Sequence, residues 1–272
     1  MILSELLSFL ETLGIAPKKR LSQNFLIDPN IVRKIVRTAE VQPGDRVLEI
    51  GPGPGALTKE LLAAGATVVA IEQDPVLARA LSRLQTEDQR LHVHLADALT
   101  FPLEKIVAEK VVANLPYHIT TPLLERLFAF PCLSITVMVQ KEFAARLAAK
   151  AGTKEFGSLT LFAEMYTQVA DLFPVSAACF YPKPSVDSSI IRLDRHPPLL
   201  ANPELFFRLT RRAFQQRRKC LSTSLRETFP TPHTQNMLET LGLRKDARPE
   251  MLSLSDWLRF FDQTNLALST RK

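Results

Sequence analysis

Between residues 45 and 140, short continuous apolar runs alternate with stretches whose apolar positions recur every three or four residues. Arg46–Ile50, Thr67–Ile71, Leu91–Leu95, Val111–Ala113 and Ser134–Val139 read as strands. Ala56–Ala64, Pro75–Leu84, Pro122–Phe128 and Lys141–Lys150 have helical spacing. Short strands separated by helices of this length imply βαβ units and a parallel sheet. Right-handed crossovers then line up the loops that follow the strands along one edge, where ligands of such sheets bind. Motifs in those loops are the first candidates for chemistry.

The pattern changes after residue 195. Arg195–Pro203 is proline-rich and predicts a boundary between a domain spanning 1–198 and a second spanning 199–272. In the second, Glu204–Arg226 has helical periodicity, with Phe206, Leu209, Ala213 and Cys220 on one face. Arg208, Arg211, Arg212, Gln215, Arg218 and Lys219 fall roughly opposite, and Arg217 is the exception. Further helices around Thr234–Leu241 and Ser255–Thr264 complete a small all-α module. At the other end, Met1–Gly14 reads as a short amphipathic helix. It carries Glu5 and Glu11 and no basic n-region, unlike a signal peptide.

Charge sharpens this division. Residues 1–200 hold 21 Lys and Arg against 21 Asp and Glu, whereas residues 201–272 hold 13 against 7. The whole net charge of +6 therefore lies in the last quarter, as expected of a module that faces a polyanion. Its basic helix face, Arg208, Arg211, Arg212, Arg218 and Lys219, is the expected RNA contact, the alternative being a solvated surface. No apolar run approaches the roughly 18–20 residues of a membrane span. Cys132, Cys179 and Cys220 are odd in number and far apart, so neither disulfides nor zinc is indicated and a reducing cytoplasm fits. His92 and His94 lack further ligands at metal-binding spacing, and no metal is expected. Lys18-Lys19-Arg20 reads equally as a phosphate contact or an exposed basic turn.

Glu49-Ile-Gly51-Pro-Gly53-Pro-Gly55 follows a strand and opens a helix. Gly51, Gly53 and Gly55 let the backbone turn tightly and let a ligand approach. Dinucleotide-binding folds place glycines here too, but the spacing is G-x-G-x-G, and Pro52 and Pro54 remove amides that a pyrophosphate needs. Glu49 would also repel a diphosphate. These features favour S-adenosylmethionine, which has an amino-acid moiety and no phosphate. Glu72, at the end of the next strand, suits the two ribose hydroxyls, and Asp97, after the third, suits the adenine amino group. Asn114-Leu115-Pro116-Tyr117 follows the fourth strand. There the Asn114 side-chain oxygen and the Pro116 carbonyl can accept from a planar amino group, while Tyr117 supplies a stacking face. Phe180, in a second aromatic-proline segment, is the candidate for the opposite face of the base. The fold class implied is α/β, a Rossmann-like sheet of the class I S-adenosylmethionine-dependent methyltransferase type with a small all-α C-terminal domain.

With these residues in place, the chain resembles the ribosomal RNA adenine N6,N6-dimethyltransferases. The resemblance runs through Ser22–Leu26, Glu49–Thr58, Ile71-Glu72, Asp97-Ala98, Asn114–Tyr117, Met138–Glu142, Phe180–Ser188 and Arg212–Lys219. It implies that Asn24 and Leu26, in an N-terminal segment spanning 1–40, close over the cofactor. Gly51 and its neighbouring glycines would lie under the methionine part, Glu72 at the ribose, Asp97 at the cofactor adenine, and Asn114 between cofactor and target. Length and the C-terminal module resemble the bacterial branch acting on two adjacent adenines near the 3′ end of small-subunit (16S) rRNA. The implied substrate is that rRNA or the 30S precursor particle, met by a monomeric, cytoplasmic enzyme. Large-subunit rRNA adenine methylases share the core and are the nearest alternative; a non-catalytic assembly factor is the other. Pro54, His118 and Phe156 depart from frequent family residues.

Overall fold

The computed structural model describes residues 1–269; residues 270–272, the end of the expected 199–272 domain, lie outside the described residues. The strands are β1 (Phe25–Leu26), β2 (Arg46–Ile50), β3 (Thr67–Glu72), β4 (Leu91–Leu95), β5 (Lys110–Asn114), β6 (Ser134–Gln140), β7 (Thr167–Val175), β8 (Phe180–Tyr181) and β9 (Ser188–Arg195). The helices are α1 (Leu3–Thr12), α2 (Pro29–Thr38), α3 (Ala56–Ala63), α4 (Pro75–Ala80), α5 (Thr120–Ala129), α6 (Lys141–Leu147), α7 (Ser158–Glu164), α8 (Glu204–Phe214), α9 (Leu221–Ser224), α10 (Thr231–Thr240) and α11 (Leu254–Ser269).

Seven strands form one sheet in the order β4-β3-β2-β5-β6-β9-β7. The five strands expected from the sequence pair in parallel, with Ile50 beside Ile71 and Asn114 beside Met138. The chain reverses strand order between β2 and β5, which opens a crevice at the C-terminal ends of the strands. The sheet is mixed rather than wholly parallel, because β9 runs antiparallel to both β6 and β7. Neither β7 nor β9 has the clean apolar run of a central strand: five successive residues of edge strand β7, Gln168–Leu172, are exposed.

Helix starts follow local chemistry. Asp28 accepts from the amides of Asn30 and Ile31 ahead of Pro29 at the first position of α2. Asp74 caps α4 through Val76 in the same way, with Pro75 following. The apolar faces of α2 (Val32, Ile35, Val36) and α3 (Leu57, Leu61, Leu62) close on Val47, Val68 and Ala70 of the sheet. Each fully buried side chain of this size contributes roughly 1.5–3 kcal/mol.

The described chain divides into two compact units, 1–144 with 167–196, and 145–166 with 197–272. The division near residue 197 falls inside the proline-rich segment, but the second unit also takes in 145–166, which the sequence boundary assigned to 1–198. The reason is packing: Phe156, Leu161 and Met165 share a core with Phe206, Leu221, Trp257 and Phe260. The helix expected over Glu204–Arg226 breaks after Phe214. The following polar run, Gln215–Lys219, offers no apolar anchors, and Arg217 turns to donate to the carbonyls of Lys154 and Phe156. This explains why Arg217 stood off the basic face. Among the described residues no helix is long and apolar enough to cross a membrane.

Candidate active site

A cavity opens at the C-terminal ends of β2, β3, β4 and β5. It brings together Asn24, Gly51, Gly53, Glu72, Asp97, Asn114, Pro116 and Tyr117, residues up to 93 positions apart in the chain that all entered as candidates from sequence.

The glycine turn builds its floor. Gly51, Gly53 and Gly55 all have positive φ, +67°, +56° and +81°, which side-chain-bearing residues adopt at a cost. Their amides are committed inside the protein: Gly51 donates to Ile71 O at 2.9 Å, Gly53 to Glu72 Oε2 at 2.9 Å and Gly55 to Pro52 O at 2.9 Å. Pro52 and Pro54 have no amide hydrogen. The three glycines thus have no amide left to cradle a phosphate, and among the described residues no Lys or Arg lines the cavity. Gly55 does not line it either. A Cβ there would meet Leu84 at 2.5 Å and Leu81 at 2.9 Å, so this glycine serves the packing at the start of α3.

Three acids surround the turn. Glu72 is 6% exposed and accepts from the Gly53 amide and, through Oε1, from the Asp74 amide at 2.8 Å. Burial pushes its pKa above the usual carboxylate range, against the pull of those two amides. Each oxygen retains a lone pair for a ligand hydroxyl. Glu49 is 1% exposed, and its Oε2 has no hydrogen-bond partner. Burial pushes this carboxyl up to about 8, with Thr58 opposing and the Glu72 charge adding. Asp97 accepts from the Leu99 amide through Oδ1 at 2.8 Å and, more weakly, from Gln73 Nε2 through Oδ2 at 3.5 Å, which leaves Oδ2 a lone pair for a ligand. Glu72 and Asp97 as acceptors and the lack of phosphate donors fit a ligand that offers hydroxyl and amino groups and carries no phosphate, as S-adenosylmethionine does. Glu49, protonated up to about pH 8 and absent from the lining, supplies no charge to repel a diphosphate, contrary to the sequence expectation.

The Asn114–Tyr117 loop forms the opposite wall. Asn114 Nδ2 donates to the Asn24 carbonyl at 3.2 Å, so the amide oxygen is the end available to a donor. The Pro116 carbonyl, the expected second acceptor, already accepts from the Ile119 amide and the Thr120 hydroxyl, each at 3.2 Å. The adjacent Leu115 carbonyl is the better candidate, because its amide is held by Met138 O at 3.1 Å and Leu115 also lines the cavity. The Tyr117 hydroxyl lies 2.6 Å from Ser188 Oγ.

Residues 18–26 cross the cavity as a strap. Lys18 pairs with Asp74 at 2.6 Å, Ser22 Oγ lies 2.8 Å from His118 Nδ1, and Phe25–Leu26 pair with Phe180–Tyr181. Burial alone would raise the Asp74 carboxyl, but hydrogen bonds from Lys18, Gln23 and the Val76 amide together hold it low. Lys18 is therefore engaged within the protein, which decides its part of the open reading of Lys18-Lys19-Arg20. Leu26 and Phe180 sit opposite each other in the ribbon and point into the core, 7% and 3% exposed, so neither lines the cavity. Phe25, missed from sequence, lines it instead. Sequence reasoning gave no role to Ser188, Asp74 or His118. Asp74 carried only the signal of a helix cap before proline, and the partners of the other two are 71 and 96 residues away.

In the helical unit, Arg208, Arg211, Arg218 and Lys219 are exposed, whereas Arg212 is half-buried and paired with Glu227. Among the described residues no group of His, Cys, Asp and Glu could hold a metal ion.

The profile of the family described as Ribosomal RNA adenine dimethylase matches residues 15–266. Ribosomal RNA small subunit methyltransferase A of Protochlamydia amoebophila is 48% identical over 271 residues, 96% of this chain and 95% of that protein. The protein of the same name from Chlamydia trachomatis serovar L2 is 46% identical, covering 95% and 96%. Among solved structures, a dimethyladenosine transferase from Plasmodium falciparum superposes with a TM-score of 0.79 at 27% identity, covering 89% of this chain and 97% of that one. The 23S rRNA methyltransferase ErmE gives 0.71 at 29% identity, covering 88% and 99%.

Proposed function

The chain belongs to the ribosomal RNA adenine dimethylase family, and on that premise we propose that it methylates N6 of two adjacent adenines near the 3′ end of small-subunit rRNA. Each adenine would receive two methyl groups, giving N6,N6-dimethyladenosine. The substrate would be that rRNA, free or in the 30S precursor particle, met by a monomeric enzyme in the cytoplasm. One observation carries the reading: Asn114, its NH2 tethered to Asn24 and its oxygen left as an acceptor, lines the same cavity as Glu72 and Asp97.

Bound S-adenosylmethionine supplies an electrophilic methyl group and leaves as a neutral thioether. Glu72 would hold the ribose hydroxyls and Asp97 Oδ2 the adenine amino group, with Gly51 and Gly53 under the methionine part. Asn24 closes from the strap. On the target side, Asn114 Oδ1 and the Leu115 carbonyl accept the two N6 hydrogens. Holding both favours a pyramidal nitrogen whose lone pair is less delocalised into the ring. Tyr117 stacks on the base, a contact worth roughly 1–3 kcal/mol. Positioning supplies most of the acceleration. The proton lost from N6 passes to water. For the second transfer, the monomethylated nitrogen keeps one hydrogen for one of the two acceptors. Arg208, Arg211, Arg218 and Lys219 would contact RNA phosphates; Arg212, also expected there from sequence, is engaged with Glu227.

Labelled S-adenosylmethionine should be incubated with undermodified small subunits, free rRNA and large subunits, and the label mapped by mass spectrometry of RNA fragments. Dimethyladenosine confined to adjacent positions near the small-subunit 3′ end is expected. Label in large subunits alone would instead support the large-subunit methylase reading.

A further inference from the structure

A second cavity, of about 660 Å3, lies in the helical unit between α8, the turn at Glu227–Phe229 and α11 at Phe261. That volume is within the roughly 300–1,000 Å3 of clefts that enclose an organic group. Its floor is apolar, built from Leu205, Leu209, Phe229 and Phe261. Leu205 leaves 54% of its surface in water, on the same helix that carries exposed Arg208 and Arg211. Arg208, Arg211 and Arg212 stand on one wall at three- and four-residue spacing, so all three face the same space. Among the described residues Glu227 is the only acid lining the cavity, and it pairs with Arg212, fixing that guanidinium at the rim. Thr228 adds a hydroxyl beside it.

A cationic wall over an apolar floor is not what a paired duplex requires. A duplex presents phosphates to a protein surface, and contact with the arginines alone would leave Leu205 in water. An unstacked nucleotide satisfies both parts: its base covers the apolar floor while the flanking phosphates meet the arginines. We propose that this cavity seats an unpaired nucleotide of the RNA substrate, lined by none of the residues of the methyl-transfer cavity. This rests on the reading that RNA is the substrate. Arg208 and Arg211 take the phosphates, and Arg212, held by Glu227, borders the base.

The test uses the full chain and two hairpin RNAs, one carrying a single bulged nucleotide and the other fully paired. Wild-type protein should bind the bulged hairpin about tenfold more tightly, the size of one base-stacking contact. Leu205→Gln and Thr228→Trp alter exposed positions, and unchanged thermal unfolding and S-adenosylmethionine affinity would report an intact fold. Each should lose the tenfold preference while binding the paired hairpin as wild type does. Arg208→Ala with Arg211→Ala should weaken both hairpins together and flatten the salt dependence. A preference that survives in both Leu205→Gln and Thr228→Trp overturns the proposal and leaves rRNA methylation standing. The rRNA-substrate reading stands or falls with the label-mapping experiment, whereas wild-type protein that binds neither hairpin, or binds both equally, overturns the nucleotide site. Displacement of the bulged RNA by an acidic peptide at equal concentration overturns it in favour of a protein partner.

Discussion

The Tyr117 hydroxyl and Ser188 Oγ are 2.6 Å apart, joining the substrate loop after β5 to the first residue of antiparallel strand β9. Ser188 is fully buried, so the bond fixes the edge of a ring whose face borders the cavity. Burial pushes the Tyr117 phenol above its ordinary pKa, against the pull of Ser188, and keeps the hydroxyl neutral near pH 7. Ser188→Ala should lower kcat about tenfold with unchanged S-adenosylmethionine affinity. Tyr117→Phe should cost the same, and the double variant no more than either. Losses that add would show that the two residues act separately.

Asn114 donates its amide NH2 to the Asn24 carbonyl, keeps its oxygen as an acceptor, and lines the cavity. Asn114→Ala is expected to abolish methyl transfer and also to release the strap, raising hydrogen exchange at residues 22–26. Asn114→Asp keeps an acceptor but offers the Asn24 carbonyl a negative charge, and it should release the strap as much or more. Near-normal activity in Asn114→Ala would sink the role assigned to this residue.

Glu72 bonds two backbone amides through two oxygens. Glutamine has one oxygen and would turn its NH2 toward the other amide. Glu72→Gln should destabilise the fold by about 1–3 kcal/mol, the penalty of one unsatisfied buried donor. Calorimetry should show S-adenosylmethionine binding weakened at least tenfold. Unchanged affinity would refute the ribose assignment.

Glu49 is protonated in the folded chain up to about pH 8, whereas its ordinary value is 4.5. Between those values the unfolded chain has already released the proton, so stability falls as pH rises, by up to about 1.4 kcal/mol per unit. Below pH 4.5 the cost is absent, and above 8 it is constant. Glu49→Gln should therefore match wild type in thermal unfolding near pH 4.5 and exceed it increasingly toward pH 8. Burial raises Glu72 as well, so a weaker slope of the same sign should persist in the variant. A pH-independent difference would show that Glu49 does not change protonation on folding.

Much of the parallel sheet was legible, because the central strands are largely buried and dominated by β-branched and aliphatic residues. Val47, Leu48, Val68, Val111, Val112 and Val137 are all at or near complete burial. The antiparallel strands were not, since β7 shows five exposed residues in succession and has no apolar period to find. The aromatic core shared by Phe156 and Trp257 was equally hidden, because it joins residues about 100 positions apart.

By itself the sequence determined the glycine turn, the strand-end acids Glu72 and Asp97, and the Asn114–Tyr117 loop. Each is a local device, a tight turn or a side chain at the end of an apolar run, and parallel strands carry all of them to one edge. Tertiary structure decided which atoms are free to act. It committed the Pro116 carbonyl to Ile119 and Thr120, turned Phe180 and Leu26 into the core, engaged Lys18 with Asp74, and brought Ser188 to Tyr117. A hydrogen-bonding group has few partners and a buried face has one direction. Its availability is therefore settled by neighbours that are distant in the chain, which no local pattern records.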